Sequence, residues 1–271
     1  TAVVEKESLG GVCLNWGCIP TKALLKSANV FDYINHAEDY GIQVNGFKAD
    51  FNKIVKRSRS VAEKMSGGVQ FLMKKNKIDI IMGMGKILPG KKVVVTDDKG
   101  KSTDYTAKNI IIATGARSRQ LPNLEQDGEK IIGYREAMVL PKLPKKMVVV
   151  GSGAIGVEFA YFYNSMGVDV TVVEFMAKIV PVEDDEISKQ LERTLKKQGL
   201  KIMTNSSVEK VDKSGKSCEV TVKTKKGEEK ISCDVVLSAV GIEANIEGIG
   251  LEEVGIVVDK GKIIVNDYFE T

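Results

Sequence analysis

The stretch KKMVVVGSGAIGVEFAYFYNSMGVDVTVVE, residues 145–174, constrains the fold of this chain more than any other. An apolar run at 146–150 reads as a buried strand, and Gly151, Gly153 and Gly156 follow it at once as G-x-G-x-x-G. A helix then extends to Met166, stops at Gly167 and returns as a second strand ending in Glu174. Strand, glycine turn, helix and strand in this order make a β-α-β unit, whose crossover is right-handed. The first glycine permits a tight turn, the second lets a pyrophosphate approach the backbone, and the third lets the helix pack on the strand. Phosphates favour the free amides and positive dipole end of a helix N-terminus. Glu174 stands close to the ~20-residue spacing of the acid that binds ribose hydroxyls. Its carboxylate would repel a 2′-phosphate, and Phe175 and Met176 offer no arginine in compensation, so NAD(H) is expected over NADP(H). The alternative is a packing turn that binds no nucleotide.

At 271 residues the chain has room for about two domains. Its 40 basic and 36 acidic residues are interspersed, which describes a solvated surface and speaks against a dedicated nucleic-acid or membrane face. No apolar run reaches the ~18 residues of a spanning helix, and the N-terminal residues lack the order of a signal peptide. A cytoplasmic protein is therefore expected, where cysteines stay reduced unless they are catalytic.

Upstream of the β-α-β unit, Thr1 to Glu5 reads as the tail of a buried parallel strand ending in an acid. Thr21 to Tyr40 has apolar residues at helical spacing, and 50–76 is a second, basic helical region interrupted at Gly67 and Gly68. Strand-like runs follow at 78–83, 91–96 and 108–116. The segment 121–144, with prolines 122, 141 and 144, reads as a connection between domains. Downstream, a helix is expected at about 184–198, then a meander turning at Lys226 and Gly227, then a core strand at 234–240.

Cys13 and Cys18, in GGVCLNWGCIPTKALLKSA, allow three readings. Zinc would want four ligands, and only Cys218, Cys233 and His36 remain to help, all far away in sequence. Two buried free thiols are a common packing solution. A dithiol–disulfide couple is favoured by position, because a helix start lowers a thiol pKa and Lys22 places a cation about one turn beyond Cys18.

GGVCLNWGCIPTKALL resembles the redox-active segment of the flavoprotein disulfide oxidoreductases, and within them the dihydrolipoamide dehydrogenase group. ATGA at 113–116, VVGSGAIGVEF at 149–159 and VVE at 172–174 stand where that family has them. The resemblance implies an α/β protein with two Rossmann-like dinucleotide-binding domains, the first, for FAD, incomplete. By it, residues 1–142 form the FAD domain without its first strand and glycine turn, 143–262 the NAD domain, and 263–271 the start of a return to the FAD domain.

Residue by residue, the resemblance implies that Cys18 is the sulfur nearest the flavin and Cys13 the thiol that exchanges with dihydrolipoamide. Lys22 would lie near the flavin and pair with Glu158. Glu5 would hold the FAD ribose, with Gly10, Gly11, Gly85, Thr114 and Gly115 along that cofactor. Gly151, Gly153, Gly156, Glu174, Val208 and Gly241 would contact NAD. Electrons would pass from dihydrolipoamide through the cysteine pair and FAD to NAD+. No metal is implied. The implied partners are lipoyl domains of 2-oxoacid dehydrogenase or glycine cleavage complexes, and a second copy of the full-length chain as a homodimer.

The chain also departs from the family pattern. It begins at the strand that ends in Glu5, after the FAD glycine turn, and stops before the second FAD motif and the dimerisation domain with its His-Glu pair. His36 stands in the wrong place to substitute and reads as a partly exposed helix residue; Trp16 replaces a usual valine and Ile242 a common arginine. An internal fragment without turnover of its own is the expectation. The alternatives are another flavin disulfide reductase, acting on mercuric ion or a glutathione-like disulfide, and an NAD-binding redox-sensing module without turnover.

Overall fold

A computed structural model describes residues 1–271. The elements run in chain order from β1 (Ala2–Glu5), α1 (Gly11–Trp16), α2 (Cys18–Asn35) and α3 (Phe51–Lys75) to β2 (Asp79–Met82), β3 (Met84–Leu88), β4 (Lys92–Thr96), β5 (Ser102–Thr106) and β6 (Ala116–Ser118). Then come β7 (Ile131–Ile132), α4 (Tyr134–Met138), β8 (Lys146–Val150), α5 (Ala154–Ser165), β9 (Asp169–Val173), α6 (Asp185–Lys197) and β10 (Lys201–Met203). The meander β11 (Ser207–Asp212), β12 (Cys218–Thr224) and β13 (Gly227–Cys233) precedes β14 (Val235–Ser238), β15 (Ile242–Ala244) and the short pair β16 (Val258–Asp259) and β17 (Lys262–Ile263). They form two compact units: residues 1–15, 63–117 and 242–271, and residues 16–62 and 118–241.

The larger unit is built on a parallel sheet in the order β10-β9-β8-β14-β7. Its central strands are buried along almost their whole length, which is why they read as continuous valine-rich runs without alternation. Each such side chain stabilises the fold by about 1.5–3 kcal/mol relative to exposure. Helix α5 buries Phe159, Ala160, Phe162 and Tyr163, and α6 is capped by Asp184, whose carboxylate accepts from the amides of Glu186 (2.8 Å) and Ile187 (3.2 Å). The meander turns at Lys225 and Lys226, with Thr224 paired to Gly227.

The segment 121–144, expected as a connection, belongs to this sheet. It supplies β7 beside β14 and the buried helix α4, and the Tyr163 hydroxyl donates to the Ala137 carbonyl. Its prolines flank these short elements and bound them without forming a linker. Helix α2 starts three residues before its expected beginning, with Pro20 in its first turn, where a missing N–H has no helical partner to lose. It ends at Asn35, and Ala37–Tyr40 forms a separate 3-10 turn. Helix α3 passes through Gly67 and Gly68 without interruption; two glycines cost about 1 kcal/mol each, and 25 residues carry them.

In the smaller unit, β1 pairs in parallel with β2, Glu5 opposite Met82, while β3, β4 and β5 form an antiparallel sheet. The amide of Ile87 donates to the carbonyl of Ile249 (2.8 Å), tying the C-terminal segment to β3. The expected strand at 108–116 is absent up to Ala116, and Ile111 is exposed. An apolar run becomes a strand only where a neighbour completes its ladder, and residues 108–115 have none. No helix is long and apolar enough to cross a membrane.

Candidate functional site

The glycine turn after β8 divides its labour among its three glycines. Gly151 has φ +95°, and a Cβ there would stand 2.4 Å from the Ala239 carbonyl oxygen; one on Gly156 would stand 2.0 Å from the Gly151 oxygen. Those two are dictated by close packing of turn, helix and β14. Gly153 has nothing within 4 Å of its virtual Cβ, and no side chain caps α5. The amides of the first turn therefore face open space of the kind a diphosphate fills.

Glu174, directly after β9, is only 6% exposed. Its Oε2 accepts from the amide (2.8 Å) and hydroxyl (2.6 Å) of Ser152, and Oε1 accepts from the Met176 amide (2.7 Å). A carboxylate offers about four acceptor positions, so capacity remains for a ribose hydroxyl. Val208 is buried in the core with Val220 and Val222, its carbonyl taken by Asn123 Nδ2 (2.6 Å). Gly241 accepts from the Arg119 amide (3.0 Å). Backbone bonds draw these segments together: Ser206 N–H reaches the Glu174 carbonyl (2.9 Å), and Ala239 N–H the Val150 carbonyl (2.8 Å).

Cys13 and Cys18 are joined by a disulfide. Both residues are exposed, Cys13 on α1 and Cys18 as the first residue of α2, where the helix dipole stabilises a thiolate. One turn into α2, Lys22 forms an ion pair with Glu158 of α5. The two helices are also joined by the Tyr161 hydroxyl, which donates to Asn29 Oδ1 (2.6 Å). The pair Lys22–Glu158 expected from resemblance is thus present.

In the smaller unit, Glu5 Oε1 accepts from the amides of Glu7 (2.7 Å) and Ser8 (3.3 Å), and its carbonyl from Gly83 N–H (2.8 Å). Gly85 packs against Val4, one residue before Glu5. Gly10 and Gly11 form the turn into α1, and a Cβ on Gly11 would meet nothing within 4 Å. Thr114 and Gly115 are held by Asn245, which donates through Nδ2 to the Thr114 carbonyl (3.1 Å) and through its amide to that of Gly115 (2.9 Å). His36 caps the end of α2, exposed, its Nδ1 2.9 Å from the Asp32 carbonyl.

Asn15 and Ser152 were not anticipated as supporting residues, and Trp16 stood out only as a departure from the family pattern. Asn15, buried, donates to the carbonyls of Leu9 and Gly11 (both 2.9 Å) and so fixes the start of α1, the helix that carries Cys13. Ser152 holds Glu174, and its position inside the glycine turn was the available signal. Trp16 takes the guanidinium of Arg59 at 4.0 Å and that of Arg135 at 5.3 Å from its ring centroid, a cation–π arrangement. Nothing in the sequence announces partners so far apart along the chain.

A family model described as pyridine nucleotide-disulphide oxidoreductase matches residues 1–271. The dihydrolipoyl dehydrogenase of Rhizobium etli is 50% identical over all of this chain and 60% of its own length; that of Zymomonas mobilis is 44% identical over 100% and 58%. The crystal structure of LpdA from Mycobacterium tuberculosis superposes with a TM-score of 0.88 at 27% identity, over 96% of this chain and 57% of that one. The HOCl-induced flavoprotein disulfide reductase RclA of Escherichia coli, at 24% identity and a TM-score of 0.82, shares the fold. The chain thus spans about 60% of the length of the relatives it matches. With a match along its whole length, an exposed disulfide and a Rossmann-type sheet, the chain belongs to the pyridine nucleotide-disulphide oxidoreductase family.

Proposed function

We propose that this chain carries the thiol relay of a dihydrolipoyl dehydrogenase, with dihydrolipoamide as donor and NAD+ as final acceptor. The observation that carries the reading is the exposed Cys13–Cys18 disulfide at the start of α2, in a chain 50% identical throughout to a dihydrolipoyl dehydrogenase. A substrate thiolate attacks Cys13, the S–S bond breaks, and Cys18 leaves as a thiolate stabilised by the helix N-terminus. FAD, when bound, would supply the acceptor for that electron pair, and NAD+ the hydride acceptor beyond it. Glu5, Gly10, Gly11, Gly85, Thr114 and Gly115 would hold the flavin nucleotide, with Lys22 oriented by Glu158. Gly151, Gly153, Gly156, Val208 and Gly241 would line the NAD site, and Glu174 would take the ribose with its remaining acceptor capacity. The lipoyl-bearing 2-oxoacid dehydrogenase or glycine cleavage complexes are the proposed partners, the cytoplasm the proposed setting, and a homodimer the proposed full-length state.

Steady-state assay of the full-length protein tests this. It should oxidise dihydrolipoamide with NAD+, and Cys13→Ser and Cys18→Ser should each abolish turnover. Turnover that survives Cys18→Ser, or a full-length protein active only on a glutathione-like disulfide or mercuric ion, overturns the reading.

A further inference from the structure

The chain contains a second cysteine pair that the relay does not use. Cys218 opens β12 and Cys233 closes β13, and antiparallel register sets them directly opposite one another. Directly opposed residues in such a ladder lie about 4.5–5.5 Å apart at Cα, inside the roughly 4.4–6.8 Å that a disulfide bridges. Both are free thiols, 1% and 2% exposed, and they hydrogen-bond to each other. They sit in the core cluster with Leu124, Ile131, Val148 and Val236.

Their surroundings are asymmetric. The hydrogen bond from Cys233, followed by the nearby ammonium groups of Lys130 and Lys213, draws the Cys218 thiol below its ordinary value, against burial and the Asp127 carboxylate. Cys233 is pushed up by the same hydrogen bond, burial and the charge of its neighbour. Cys218 Sγ also lies 3.9 Å from the Lys130 carbonyl. Cys233 lines a cleft of about 700 Å³ between the meander and the parallel sheet, with Lys146, Asp169, Lys201, Met203 and Lys230 around it. Lys146, Asp169 and Lys201 are the first residues of β8, β9 and β10 and Met203 the last of β10, so this cleft runs along the strands and does not include the glycine turn. It gives a small polar molecule a path to Cys233, the member of the pair that lines it.

We propose that Cys218 and Cys233 are a second dithiol–disulfide site, oxidised by a hydroperoxide that enters through this cleft. One sulfur of the pair, as its thiolate, attacks the peroxide: an S–O bond forms, the O–O bond breaks, and the leaving oxygen takes a proton to become water or an alcohol. The other sulfur then attacks the oxidised one, so that the S–S bond forms, the S–O bond breaks, and water departs with the second thiol's proton. The two thiols lose one electron pair in total and the peroxide gains it. The product ties the open end of the β12–β13 hairpin, next to Asp234, whose carboxylate accepts the Lys145 (2.7 Å) and Lys146 (2.9 Å) amides at the start of β8.

This inference is independent of dihydrolipoamide and flavin, so its test uses neither. The purified chain is exposed to hydrogen peroxide, quenched, unfolded, alkylated and mapped by mass spectrometry. The expected result is a cross-linked peptide joining Cys218 to Cys233, with a loss of two hydrogens in intact mass and the Cys13–Cys18 bond unchanged. Cys218→Ser should prevent the cross-link. The double variant Cys13→Ser/Cys18→Ser, which removes any route through disulfide exchange, should still form it. Full alkylation of both thiols after exposure, separate sulfinic acids without a cross-link, or equally fast bond formation in chain unfolded before exposure each overturn the proposal.

Discussion

The two units differ in how they are held together. The larger has a five-stranded parallel sheet with Val148, Val149, Val170, Val236 and Leu237 essentially inaccessible to solvent. The smaller buries only Leu9, Val95, Ile249 and Leu251 among its apolar residues and leaves Ile80, Met82, Met84 and Ile111 exposed. Beside this smaller core it has an exposed electrostatic clasp. Arg117 meets Glu247 through both terminal nitrogens (each 2.9 Å) and Glu243 through Nε (2.9 Å). Both units carry the same local signature, a strand ending in glutamate near glycines, yet Glu174 is buried and triply hydrogen-bonded while Glu5 is bonded by its own following turn. A shared local pattern therefore acquires different energetic weight from the number of layers packed around it.

Glycine substitutions should separate the units most widely. Gly156→Ala forces a Cβ against backbone that cannot retreat and should destabilise the larger unit by about 3 kcal/mol or more. Gly11→Ala meets open space and has only its left-handed backbone (φ +68°) to strain, about 1–2 kcal/mol. Urea denaturation of the two variants measures both; equal losses would erase the contrast. Next in size are the carboxylates. Glu174→Gln weakens charge-assisted bonds to Ser152 and Met176 in a buried setting and should cost about 1.5–3 kcal/mol. Glu5→Gln should change stability by no more than about 0.5 kcal/mol, as surface substitutions do.

Native-state hydrogen exchange sharpens the comparison at single amides. Those of β8, β9 and β14 should open only at free energies near global unfolding, and those of β1, β2 and β5 at lower ones. Uniform protection across the two units would show that burial is a poor guide here. The smallest effect is expected from acid. Hydrogen bonds from Arg117 hold the Glu247 carboxyl down at about 2, against an ordinary value of 4.5. A lowered folded-state pKa contributes stability that is complete above the unfolded value and is lost as pH falls through the folded one. The smaller unit should thus weaken between about pH 4.5 and 2. Glu247→Gln should flatten that part of the profile, and added salt should reduce it, because the clasp is exposed.

Much of the larger unit was legible in the sequence because its signals are local. The run at 146–150, the glycine turn, α5 and the strand before Glu174 all appear at their expected positions. The helix at 185–197 was legible for the same reason, within one residue of the 184–198 expected at each end. The run at 108–116 failed because a strand is a property of two segments, and a single segment cannot report whether its neighbour is present. The interruption expected at Gly67 and Gly68 failed because helix propensity is a weak preference that a long amphipathic helix overrides. At the site, the Cys13–Cys18 bond was within reach because only four residues of chain stand between its ends. Lys22 and Glu158 could be paired only through resemblance, since their contact depends on α2 packing against α5.

What the sequence alone determined, then, is whatever short-range geometry enforces: the β-α-β unit, the tight turn at Gly151 with close packing at Gly156, and the spacing to Glu174. Tertiary structure decided which of two similar strand ends is buried, that residues 121–144 join the sheet, and that Arg59 and Arg135 meet Trp16. It also set Cys218 opposite Cys233, a pair that reads as two isolated thiols along the chain. The physical reason is common to all of these. Register and packing fix distances between residues far apart in sequence, and no local propensity encodes those distances.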